Sequence, residues 1–148
     1  MRPSFLENCM SLDIFELFAT NEKLETVGVW HNLNADGSSR IKVARMDNPK
    51  YQQAMQLLYS EYAEELQKEP EAERLEPDSL TRKIMAKGMA QAILVDWEGI
   101  SYKGKVLKYT KENAEKVLMH KDFLELVLRL SSDIANFRLE LEEEQTKN

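Results

Sequence analysis

The chain has 148 residues, 43% of them hydrophobic and 31% charged, with a formal net charge of −6. That length suits one domain, 1–148, able to bury a core without disulfides or metals. A lone cysteine, Cys9, excludes an internal disulfide and a secreted disulfide scaffold. The acidic balance argues against nucleic acid as the main partner, and no apolar run approaches the roughly 20 residues of a membrane span.

In chain order, residues 1–9 are expected to be a disordered extension, because Met10 opens a segment, MSLDIFELFATNEK, that reads as a natural start. Cys9 lies there with no neighbouring His or Lys to activate it. With Arg2 as the only basic residue, and with Asp13 and Glu16 breaking the apolar stretch that follows, this is not a secretory signal. Residues 11–20 carry Leu12, Phe15, Leu17 and Phe18 in a stretch too short to assign. From Glu25 to Leu33, Val27, Val29, His31 and Leu33 alternate with Thr26, Gly28, Trp30 and Asn32, which predicts a half-buried strand. Asp36-Gly37 turns the chain, and Arg40 to Val43 returns it, completing a hairpin over 25–45.

Asn48 before Pro49 predicts a helix start, and Tyr51, Met55, Leu58, Tyr62 and Leu66 share one face of a helix over about 49–68. Residues 69–77, bounded by Pro70 and Pro77, read as an acidic linker. A second helix is expected over about 79–97, apolar around most of its girth and ended by Gly99. Within it, Gly88 permits the close approach of a neighbour. Tyr102 to Tyr109 reads as a small hairpin turning at Lys103-Gly104, with Val106 inward. Thr110 caps a short helix over 111–119. The last helix, over 122–143, aligns Phe123, Val127, Leu130, Ile134, Phe137 and Leu141 in a near-heptad seam before an acidic tail at 142–148 that should fray. The fold class expected is α+β, predominantly helical: an N-terminal β-hairpin, then about four helices, with a small second hairpin before the last two. The expected core is Val27, Val29, Tyr51, Met55, Leu58, Ile84, Val95, Val127, Leu130 and Ile134.

Catalytic chemistry finds little support. His31 alternates with valines as a half-buried structural residue, and His120 precedes the last helix in a capping or loop position. Neither has cysteines or carboxylates at ligand spacing, so no catalytic residue, cofactor or metal is expected. Asp96 and Glu98 flank Trp97, but residues two apart on a helix point away from each other. The basic clusters Arg40, Lys42, Arg45 and Lys103, Lys105, Lys108 read as solvated strand faces.

The final seam has two readings. It is either a core helix face or a surface for a partner helix, broadened by Leu124, Leu126 and Leu128. Its second half runs toward the acidic tail, where intramolecular neighbours become scarce, so Ile134, Phe137 and Leu141 are expected to touch a partner. Trp30, on the strand face opposite Val27 and Val29, is either covered by a helix or exposed as an anchor.

Several signatures in order carry a resemblance. They are Glu25, Gly28, Val29 and Trp30, then Ile41, Val43, Ala44 and Arg45, then Asn48, Pro49 and Tyr51. Leu94 to Ile100 follow, leading through Gly104 to Tyr109, Thr110, Glu112, Asn113 and Ala114, and the series closes with Asp122, Phe123, Asp133, Ala135, Asn136 and Phe137. Over about Leu12 to Phe137 the chain resembles the tail assembly chaperones of long non-contractile-tailed bacteriophages. The resemblance implies a non-enzymatic protein of the bacterial host cytoplasm, absent from the mature virion. It would bind the tape-measure protein, keep it soluble until tail-tube protein polymerises around it, and self-associate or meet the tube protein. The alternative is a small helical adaptor or inhibitor of a phage or bacterium, with a helix-turn-helix regulator third.

Overall fold

The computed structural model describes residues 11–138. Helices α1 (Ile14–Leu17) and α2 (Glu22–Val27) precede strands β1 (Val29–Asn32) and β2 (Arg40–Val43). Helices α3 (Pro49–Glu61) and α4 (Ala63–Lys68) lead through a 3-10 turn, Glu71–Glu73, to α5 (Leu80–Ala92). Then come β3 (Leu94–Glu98), the short strands β4 (Ser101–Tyr102) and β5 (Lys105–Val106), α6 (Lys111–Leu118), α7 (Lys121–Ser132) and a 3-10 turn, Ile134–Phe137. The fold is α+β with helix dominant, as the periodicities predict.

The hairpin forms with antiparallel pairing of Val29 to Val43 and His31 to Ile41. It starts later than expected, because residues 22–27 are helix rather than strand. Asn21 caps α2 by accepting from the Lys23 and Leu24 amides, and Gly28 ends it at φ +97°. Val27, expected in the core, is therefore 44% exposed on the helix, while Leu24 is buried in its place. Upstream, Asp13 caps the unassigned stretch into α1.

The second predicted helix is two elements. It stops at Ala92, and Leu94–Glu98 becomes a third strand, pairing with β2 so that Ile41 faces Trp97 and Arg40 faces Glu98. An apolar run fits a buried strand as well as a buried helix, and here the free edge of β2 decides. Gly99 then ends a strand rather than a helix, at φ +67°. Val95, expected in the core, is half-buried.

Helix starts follow their signals closely. Asn48 accepts from Tyr51 N at 3.0 Å, Ser79 from Arg82 N at 3.1 Å and Thr110 from Asn113 N at 3.0 Å. The first long helix is interrupted at Tyr62, and α3 packs on α5, which packs on α6. The stretch at 69–77 is solvent-facing but anchored: Glu69 accepts from Leu80 N at 2.6 Å and from Thr81, completing the α5 N-terminus. Bonds from the Thr81 hydroxyl and the two amides hold its carboxyl below the usual carboxylate range.

The main core gathers Ile41, Val43, Met89, Ile93, Leu94, Trp97, Leu118, Leu124 and Val127. A second, smaller cluster joins Leu24, Val29 and Phe137. Within the expected core, Val29, Tyr51, Leu58, Ile84 and Val127 are buried, and Met55, Leu130 and Ile134 are half-buried.

Candidate functional site

Four local features build an apolar groove at one end of the molecule. Lys103 and Gly104, both at positive φ (51° and 79°), turn β4 into β5 in the two-residue geometry that suits a tight hairpin. Leu107 N donates to Ile100 O at 2.8 Å, closing the base of that hairpin. Trp97 Nε1 donates to Leu107 O at 2.8 Å, and the Trp97 ring meets Tyr109 edge-on at 5.1 Å. The Tyr109 hydroxyl donates to Leu94 O at 2.7 Å, and burial pushes its pKa up to about 12. Buried Trp97 thus clamps the hairpin base to the sheet and leaves the hairpin tip projecting.

Between the hairpin, α6 and the first turn of α7 lies a groove of about 600 Å³. Ile100, Leu107, Val117 and Phe123 form its apolar lining, with Ser101, Tyr102, Asn113, Lys116 and His120 at its edges. Tyr102 is 62% exposed. Val106, expected to point inward, is 87% exposed, because a hairpin this short has no layer packed over that face. His120 sits where α7 begins but makes no capping bond with its side chain. Lys116, at the groove's edge, is exposed and, among the described residues, is in no ion pair. Sequence reading took Lys103, Lys105 and Lys108 as a solvated face. All three are exposed, and Lys103 Nζ lies 5.3 Å from the Tyr102 ring centre.

The expected partner residues fare differently. Phe137 is a correction: it is 0% exposed, packed with Leu24 and Val29. The last helix ends at Ser132 rather than running to 143, and the Asp133-capped 3-10 turn folds Phe137 back under α2, where Asn21 N donates to Phe137 O at 2.7 Å. Ile134 is half-buried in the same turn, and Leu141 lies outside the described residues.

Trp30 is half-buried, covered by cations rather than by a helix: the Arg40 guanidinium carbon sits 4.1 Å from its ring centre and Lys42 Nζ 5.7 Å. Arg40 Nε also bonds Glu98 at 2.8 Å, which holds the Glu98 carboxyl below its usual range. Because residues 94–98 are a strand, Asp96 and Glu98 share its outer face, correcting the helical reading, and they stand opposite Lys42 and Arg40. Arg40 pairs with Glu98, and Asp96 Oδ1 accepts from Trp97 N at 2.8 Å.

In and beside α1, Leu12, Ile14, Phe15 and Phe18 are exposed, with Phe15 90% exposed. No helix among the described residues is long and apolar enough to cross a membrane. No curated protein and no solved structure is significantly similar to this chain. A family model described as YdaY prophage protein matches residues 46–148, a span that contains the whole groove. That match covers well over half of the sequence, and the chain belongs to the YdaY prophage protein family.

Proposed function

We infer that this prophage protein is a non-enzymatic binding protein whose groove receives an amphipathic helix of a phage tape-measure protein, keeping it soluble until tail-tube subunits polymerise around it. The observation that carries this reading is the groove: an apolar floor of Ile100, Leu107, Val117 and Phe123 with Lys116 at its edge, on an otherwise acidic chain. Helix-in-groove recognition uses apolar anchors spaced along one helix face, and a charged rim sets orientation and partner choice. The prophage family and the ordered resemblance to tail assembly chaperones supply the client.

The test is co-expression of the full chain with tape-measure fragments from the same prophage, followed by affinity capture. Replacing Tyr102 with Ser and Lys116 with Glu together should weaken capture at least about tenfold while leaving the melting temperature unchanged, since both side chains are exposed. Capture undiminished by that double variant would place the docking surface elsewhere. An unchanged chain that retains no fragment would leave the adaptor or inhibitor reading in its place.

A further inference from the structure

His31 is a titratable side chain that the groove does not use. It is half-buried in β1, and its Nε2 atom lies inside the protein with no hydrogen-bond partner among the described residues. A neutral imidazole tolerates that position, because one of its nitrogens carries no proton. An imidazolium does not: both nitrogens become donors, and the one at Nε2 is buried without an acceptor.

The groups around it offer little relief. Asp133, just after α7, is the charged group that acts on His31, and its Oδ1 is engaged by Ala135 N at 3.0 Å. Beyond the turn, Arg138 is cationic and brings no acceptor, its own Nε being buried without a partner. Glu25 on α2 is held by Arg45 at 2.7 Å, and Glu125 and Arg129 on α7 line a separate recess with Asp122. Across β2 from His31 stands Ile41, while Arg40, Lys42, Asp96 and Glu98 lie on the other face of the sheet. Burial therefore outweighs Asp133 and lowers the His31 pKa.

The turn after α7 closes this strand face. Val29, two residues before His31 and on the same face, packs with Leu24 and Phe137. Phe137 belongs to the 3-10 turn that Asp133 caps, and its carbonyl accepts from Asn21 N at 2.7 Å. Before that turn, Ser131 O accepts from Met46 N at 2.9 Å, which fastens α7 independently. Residues 133–138 are thus able to lift while α7 stays seated.

We propose that His31 is a proton-sensitive latch: on taking up a proton it releases residues 133–138 from β1, and α2 loses Phe137 while the main core stays closed. Opening returns the imidazolium to water. The open state binds the proton more readily than the closed one, so opening is favoured as pH falls through the ordinary histidine value. One proton per opening sets a limit of about tenfold per pH unit.

The test is hydrogen exchange on the full chain between about pH 7.5 and about pH 5.5, with each amide corrected for its intrinsic rate. His31 and His120 are the two histidines, the side chains that ordinarily change charge in that range. Protection at Leu24 to Gly28 should fall by up to about tenfold per pH unit below about pH 6.5, while protection at Ile84 to Ala90 holds. His31→Asn should abolish this dependence, and His120→Asn should keep it. A flat profile at Leu24 to Gly28 in the unchanged chain overturns the proposal, as does a dependence that persists in a folded His31→Asn chain. Equal loss at Ile84 to Ala90 also overturns it, because the latch frees α2 and not the main core. If His31→Asn does not fold, the His120→Asn chain decides, since His31 is then its only histidine: retained dependence supports the latch and lost dependence overturns it.

Discussion

At the residue scale, Asn48 does two jobs with one side chain. Its Oδ1 caps α3, and its Nδ2 donates to Arg45 O at 2.8 Å and to Ala92 O at 3.1 Å. Ala92 O belongs to the last residue of α5, so the amide ties the start of one helix to the end of another. Asn48→Ala removes a cap, worth about 1 kcal/mol, and takes the side-chain donor from the buried Ala92 carbonyl, a further cost of about 1–3 kcal/mol. Asn48→Asp keeps the acceptor and loses the donor, so it should also destabilise the fold; urea unfolding of both variants separates the two roles. Gly99 poses a different constraint: at φ +67°, an added Cβ would sit 1.9 Å from Ser38 O, which is backbone. Gly99→Ala should lower stability by more than the roughly 1 kcal/mol of its dihedral strain, with the hairpin-to-β3 junction most affected. His31 titrates with a definite sign. Burial lowers its pKa, partly opposed by Asp133, so the unfolded chain binds the proton more readily. Its contribution to stability is complete above its ordinary pKa and declines as pH falls through that value. His31→Asn should flatten that part of the stability–pH curve.

At the element scale, the meeting of α3 and α5 turns on Gly88. A Cβ there would lie 2.2 Å from Met55 Sδ and 3.3 Å from Tyr51 Cε1. Alanine gains about 1 kcal/mol of helix propensity, but it must displace a packed thioether, and overpacking of this kind costs about 1–3 kcal/mol. Gly88→Ala should be net destabilising alone and near neutral or stabilising beside Met55→Ala, a coupling that a double-mutant cycle reads directly. The role of Gly88 was legible beforehand, as were every capped helix start from Asn48 onward and the Lys103-Gly104 turn, because each rests on one to three adjacent residues. The strand at Leu94–Glu98 was not. Its helix-like apolar girth is resolved only by the free edge of β2, more than 50 residues earlier. The groove was illegible for the same reason, since its lining residues are contributed by a hairpin and two helices that only tertiary packing brings together.

At the scale of the whole molecule, the described residues form two unequal apolar clusters, and the smaller one holds the segment before β1 to the segment after α7. Phe137 fills the space between Leu24 and Val29, its carbonyl accepts the Asn21 amide, and Thr20 bridges Arg138. Three local contacts thus fasten α2 to the segment after α7, with β1 joining this cluster to the main sheet. Had Phe137 been an exposed docking residue, its loss would have weakened binding and spared the fold. Buried as it is, Phe137→Ala should cost about 3–5 kcal/mol, the range for deleting a buried aromatic ring. The loss should also be uneven. The main core around Met89, Ile93 and Trp97 makes no use of Phe137, so local opening at α2 becomes cheaper while α5 stays protected up to global unfolding. Hydrogen exchange on the Phe137→Ala chain should therefore show faster exchange at the amides of Leu24 to Gly28 than at those of Ile84 to Ala90, relative to the unchanged chain. A uniform acceleration across both segments would mean that the two clusters unfold as one unit. Unchanged exchange at α2 would mean that Phe137 does not hold it.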